Sequence, residues 1–182
     1  MLKTVTTLFA TGLLFLCQVS ISHADNLFLL LGGIQGESKD AQHPGWNYLE
    51  SARWEHGEAP PGSPSKIQFG RVQITKQQDS TSATLALLGA TGQALKDFKL
   101  EITRPTGSNP VAVFRMKLTN ARVASYAAAA HSGQSGSATE SVSFSFDTIT
   151  WITFKIDEQG RQTPGSAGCF DLLANKSCTP TF

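Results

Sequence analysis

Asp40 and His43 stand three apart in a polar stretch, with Ser38 just before them. Those three side-chain types can hydrolyse an ester or amide when the hydroxyl bonds the imidazole and the carboxylate orients it. Three such residues on one short loop do not reach that arrangement without strain, so the expected state is a loop fixed by its own hydrogen bonds. His43, His56 and His131 are too scattered for zinc spacing and bind a metal only if folding gathers them. Gly32-Gly33 with Gly36 is not a phosphate loop, because no helix start follows it. Asn175-Lys176-Ser177 has the form of a glycosylation acceptor, a triplet common by chance. No catalytic residue, cofactor or metal ligand is therefore assigned.

The remaining reactive side chains are thiols, and their meaning depends on compartment. Lys3 opens a short basic start, Leu8–Val19 is mostly apolar, and Ser22-His23-Ala24 closes the segment. Small residues at the first and third places of that triplet suit signal peptidase, with the cut between Ala24 and Asp25. The apolar run is shorter than the ~20 residues a membrane anchor needs, and bulky Leu14-Phe15-Leu16 before Cys17 argues against lipidation. The expectation is a cleavable export signal over 1–24, one domain over 25–182, and no stable anchor after cleavage. Cleavage removes Cys17 and leaves Cys169 and Cys178 for an oxidising compartment, where two close cysteines favour a disulfide over a metal site. Such a bond would pin the tail that follows Asp171–Lys176.

Taking 24 residues from 182 leaves 158, enough for one domain with a hydrophobic core. Lys3 is the only charged residue lost, so 14 of the 15 basic residues face 14 acidic ones. A chain so balanced offers no basic footprint for nucleic acid or anionic lipid. It also lacks the like-charge repulsion that opposes packing against copies of itself.

The pattern along the chain is strand after strand with one short helix. Asn26–Leu31 is apolar on both faces, and Gly36–Gly45 is a polar loop. Trp46–Trp54 is expected as a second strand and Gly57–Ser65 as a loop. Val72 and Ile74 alternate with polar neighbours, and Asp79 or Ser80 can cap a helix over Ala83–Leu88 that ends at Gly89 or Gly92. Phe98, Leu100 and Ile102 face one way; Asp97, Lys99, Glu101 and Thr103 face the other. Val111–Ala127 alternates too, slipping phase near Asn120 as a bulge would, and Ala128–Thr139 is a small-residue loop. Glu140–Ile156 is the longest candidate, about 50 Å if straight, so a bend is expected. The fold class is mainly β: a bent antiparallel β-barrel or sandwich with one short flanking α-helix. Asn26–Leu31 and Ile149–Ile152 hold more apolar surface than one interior requires, which fits a second buried surface.

Several segments, in order, resemble the Hcp family of type VI secretion systems. They are Asp25–Asp40 with His43; Ile74-Thr75-Lys76 with Asp79 and Ser82; Leu118 and Asn120 with Val123–Tyr126; Glu140–Phe146 with Trp151; and Gly168–Leu172 with Asn175-Lys176. The resemblance implies a β-barrel with one flanking helix, six copies of which form a ring. Rings stack into a tube that a contractile sheath drives outward and that can carry effectors; no catalysis is implied. The chain departs from the family in its export signal, in Cys169 before Phe170, and in the tail Ser177–Phe182. Two functions follow as expectations. One is a non-enzymatic ring-forming subunit whose partners are its own copies and a secretion apparatus or effector. The other is a Sec-exported paralogue acting as a binding module without tube assembly. Both place the protein in the periplasm or outside a Gram-negative bacterium.

Overall fold

The computed structural model describes residues 24–63, 67–106, 109–130, 132 and 138–182. The expected signal segment before Ala24, with Cys17, and His131 lie outside them. The elements run β1 (Asn26–Leu31), β2 (Asn47–Leu49), β3 (Ser51–Arg53), β4 (His56–Glu58), β5 (Ile67–Phe69) and β6 (Val72–Gln77). Helix α1 (Ser82–Thr91) follows, then β7 (Phe98–Thr106), β8 (Asn109–Thr119), β9 (Arg122–Ala129), β10 (Thr139–Ser145), β11 (Thr148–Ile156), β12 (Gln162–Asp171) and β13 (Lys176–Ser177). A seven-stranded sheet has the order β13-β12-β11-β8-β7-β1-β2, and a four-stranded sheet the order β3-β6-β10-β9. β4 and β5 pair as a separate hairpin. Every pairing is antiparallel.

Period-two alternation gives each sheet an apolar inner face, and the two inner faces make one core. Leu29, Phe98, Leu100 and Met116 from the large sheet meet Val72, Ile74, Val142 and Phe144 from the small one. Phe98 and Phe144 touch edge to face, with centroids 5.0 Å apart. Leu85 is the buried contribution of α1, which stops at Gly92 with φ +66°. The expected mainly β fold with one short helix is what the chain forms, as two sheets that exchange strands at corners.

Those corners correct three sequence expectations. Asn120 carries no bulge: with φ +52° it separates β8 in the large sheet from β9 in the small one. Glu140–Ile156 bends so sharply at Phe146-Asp147 that it becomes two strands, β10 and β11, again one per sheet. The two bends lie together, since the Asp147 N–H donates to Thr119 O at 3.0 Å and Asn120 Nδ2 donates to Asp147 Oδ2 at 2.8 Å. Trp46–Trp54 likewise splits, β2 pairing with β1 and β3 with β6. At that third crossing Asn47 turns into the core and Tyr48 turns out, half exposed at 51%. The proline-rich loop is shorter than expected, because Gly57 and Glu58 belong to β4 and pair with Gln68 and Ile67. β9 reaches Ala129, into the stretch expected as loop.

Candidate functional site

The structure brings Ser38, Asp40 and His43 together, and adds a partner from 58 residues away. Gly36 N–H donates to Gly45 O at 2.7 Å and Ser38 N–H to Trp46 O at 2.9 Å, closing the polar loop. Gly36 is required there: a Cβ would lie 2.4 Å from Trp46 O. The closed loop lays His43 on Phe28, rings parallel with centroids 4.0 Å apart, and sets Trp46 edge-on at 4.9 Å. His43 Nδ1 is 2.8 Å from Asp40 Oδ1 and Nε2 is 3.1 Å from Glu101 Oε1. Glu101 in turn accepts from Arg115 Nε at 2.5 Å.

This geometry is not that of an acyl-transfer site. Both imidazole nitrogens face carboxylates, and Ser38 Oγ accepts the Asp40 N–H instead. The ring is also buried at 2% exposure. Burial alone would raise the Asp40 pKa, but the His43 ring and the Gln42 and His43 N–H groups outweigh it and hold the carboxyl below its ordinary value. His56 sits elsewhere, stacked on Phe69 at 5.1 Å. Among the described residues no group of three metal-binding side chains forms.

A second buried network stands at the entry to α1. Lys76 shares the inward phase of Val72 and Ile74 and is fully buried. Its ammonium forms ion pairs with Asp79 Oδ1 at 2.7 Å and Glu140 Oε1 at 3.0 Å and donates to Gln77 O at 2.9 Å, while Glu140 Oε1 itself accepts no aligned hydrogen bond. Glu140 is directly opposite Lys76 in the β6–β10 ladder and also accepts the Tyr126 hydroxyl at 2.8 Å. Burial of the phenol, with that bond, pushes the Tyr126 pKa up. Asp79 accepts the Thr81 N–H at 2.8 Å, and the Thr81 hydroxyl shares its one proton between Asp79 Oδ1 at 2.6 Å and Asn47 Oδ1 at 3.0 Å. Asp79 thus organises the turn before the helix. Desolvation opposes its charge, but Lys76 and Thr81 more than compensate and its pKa is lowered.

Sequence reasoning missed Lys76, Glu140, Glu101 and Arg115 as network members. The usable signal was a cation and an anion in the apolar phase of two strands, Val72-x-Ile74-x-Lys76 and Glu140-x-Val142-x-Phe144. At the chain's end Cys169 and Cys178 are joined, with Cα atoms 5.0 Å apart. The Cys178 N–H donates to Cys169 O, and β13 holds β12 through Phe170↔Ser177 and Asp171↔Lys176. Asp25, at the expected cleavage point, pairs bidentately with Arg104 at 3.0 Å for both contacts.

Both networks clamp polar segments against the sheets, the first the loop after β1 and the second the turn before α1. The apolar side chains left outside include Leu173, 80% exposed, Leu87, 63%, and Tyr48, 51%.

The family model described as "Type VI secretion system effector, Hcp" matches residues 28–152. A solved type six secretion system protein superposes with TM-score 0.77 at 24% identity, covering 85% of this chain and 100% of its own. An Hcp protein of Salmonella typhimurium gives 0.68 at 24%, covering 85% and 99%. A secreted Hcp protein of Pseudomonas aeruginosa gives 0.59 at 17%, covering 81% and 98%. No curated protein matches the sequence. The chain belongs to the Hcp family of the type VI secretion system.

Proposed function

We propose that the protein is a non-enzymatic structural subunit that associates with its own copies into hexameric rings, as the Hcp resemblance implies. Such rings would serve a secretion apparatus and carry effectors. The observation that carries this reading is the family match over most of the chain, 28–152, on a fold that spans nearly all of its solved relatives. Neutral balance of charge after residue 24 and exposed Leu87, Leu173 and Tyr48 support self-association. Light scattering on the purified protein is expected to give six times the protomer mass, with rings in negative-stain images. A strict monomer at high concentration would remove the reading.

A second reading is favoured by the joined cysteines. Here residues 1–24 are cleaved between Ala24 and Asp25, and the single domain 25–182 works in the periplasm or outside the cell as a binding module. The Cys169–Cys178 bond closes a loop of about ten residues, for which chain entropy suggests ~2–3 kcal/mol of stabilisation. Reduction is expected to lower the urea midpoint accordingly, with the Cys169→Ser, Cys178→Ser variant matching the reduced protein. Two freely alkylated thiols in unreduced material from the periplasm would discard both the bond and the oxidising location.

A further inference from the structure

A recess of about 220 Å³ opens where the β4–β5 hairpin meets β8 and β11. Aromatic rings make most of its wall. His56 and Trp151 lie nearly parallel, 15° apart, with centroids separated by 6.4 Å. Phe69 stacks on His56 and meets Phe146 at right angles, with centroids 6.5 Å apart. On another side the Trp54 ring is backed by Phe114, parallel within 11° at 5.1 Å. None of these rings takes part in the two ion networks.

One carboxylate stands at the rim. The Glu55 stem lies along Gly70, where a Cβ would come within 2.8 Å of Glu55 Cγ, and the Gly70 N–H donates to Glu55 O at 2.9 Å. Arg53 Nη2 holds Glu55 Oε2 at 2.7 Å. The absent side chain at position 70 thus lets the glutamate lie beside the aromatic wall.

We propose that this recess binds a small planar aromatic molecule bearing one N–H or O–H donor, for which indole is the simplest probe. Three features select that class. A dry apolar cavity of ~150 Å³ is large enough for benzene, so this one suits a two-ring molecule. Walls of stacked and edge-on rings favour a flat partner, which adds offset-stacked or edge contacts to simple burial. The ionised rim carboxylate only accepts hydrogen bonds, so it rewards a ligand with a donor and gives nothing to one without. An organic cation is the weaker fit, because Arg53 already neutralises Glu55. The hairpin that carries His56 and Phe69 is two short strands, mostly exposed. Isolated ribbons of that size yield easily, so the near-parallel rings can part to the ~7 Å that a sandwiched ring needs. All of its walls come from one protomer.

Calorimetric titration of the purified protein with indole, and with naphthalene as the donor-free analogue, tests this. Saturable one-to-one binding of indole is expected with a dissociation constant of roughly 0.1–1 mM. Trp151→Ala should weaken it about tenfold or more. Glu55→Gln, a surface change that leaves folding intact, should weaken indole several-fold while leaving naphthalene unaffected. No saturation by indole up to several millimolar would overturn the proposal, as would binding that Trp151→Ala and Glu55→Gln leave untouched. Self-association that indole does not reverse but Trp151→Ala abolishes would also overturn it, by assigning the recess to a side chain of a second copy.

Discussion

Lys76→Ala is expected to destabilise the fold by about 3–5 kcal/mol, the cost of removing one member of a buried ion pair. Glu140 would keep only the Tyr126 hydroxyl at about 1% exposure, and its charge would be left uncompensated in the core. Asp79 would lose its cation as well, loosening the turn before α1. Against a typical total of about 5–15 kcal/mol, that loss removes much of the margin. Arg161→Ala is the contrasting case, expected to leave the urea midpoint almost unchanged, because the Arg161–Asp157 pair is exposed and screened by water. The penalty at Lys76 comes from stranding a charge, so it should not be additive. Adding Glu140→Gln to Lys76→Met is expected to recover most of what Lys76→Met alone loses, since the fully buried Glu140 charge is then gone and Asp79, partly exposed, still accepts from Thr81. Urea unfolding of the four proteins in that cycle gives the coupling directly. A Lys76→Ala loss under 1 kcal/mol, or a double variant no better than Lys76→Met, would show the network to be incidental.

The same residue shows where the sequence could be trusted. A run apolar on both faces marked β1, and alternation marked β6, β7, β8, β10 and β11, because burial of an apolar face writes itself as period two. It failed at the corners, since a strand that changes sheets keeps its backbone extended while its inward side flips. Phe144 and Phe146 face the core on even positions, yet beyond Asp147 the buried hydrophobic residue is Ile149, beside buried Thr150. That flip is visible in the sequence as apolar residues on both faces of Ile149–Ile152. β12 left no trace at all: most of Gln162–Ala167 is exposed, and the strand exists through backbone bonds to the edge of β11. Edge pairing is indifferent to side-chain polarity, so no hydropathy pattern reports it.

The polar sites were legible in part for a related reason. Ser38, Asp40 and His43 are adjacent in sequence, so their proximity required no knowledge of topology. Glu101 does require it, because β7 must lie across β1 before its carboxylate reaches His43. The outward face expected for Glu101 and Thr103 is in fact covered, Thr103 completely. Alternation identifies which residues share a face; it does not say what a folded loop later lays over that face.

That covering makes His43→Ala the other large effect, expected at about 3–4 kcal/mol. The substitution deletes a buried ring stacked on Phe28 and edged by Trp46, a truncation of the class that costs about 3–5 kcal/mol for large aromatics. It also removes hydrogen bonds to two carboxylates, although Arg115 still compensates Glu101. The sign of the pH response follows from Asp40. Its folded pKa lies below the ordinary 3.8, so its contribution is complete above that value and fades as pH falls through the depressed one. Wild-type stability should therefore drop below about pH 4. The drop should be shallower in His43→Ala, which lacks one of the contacts that lower the Asp40 pKa. Urea midpoints between pH 3 and 7 measure both, and unchanged slopes would rule out the Asp40–His43 contact as a contributor. Because the Ser38–Trp46 and Gly45–Ser38 backbone bonds hang on the same ring, loss should reach the whole loop. Hydrogen exchange at the Ser38, Gly45 and Trp46 amides is expected to quicken together in His43→Ala, while amides of the β6–β10 ladder stay protected.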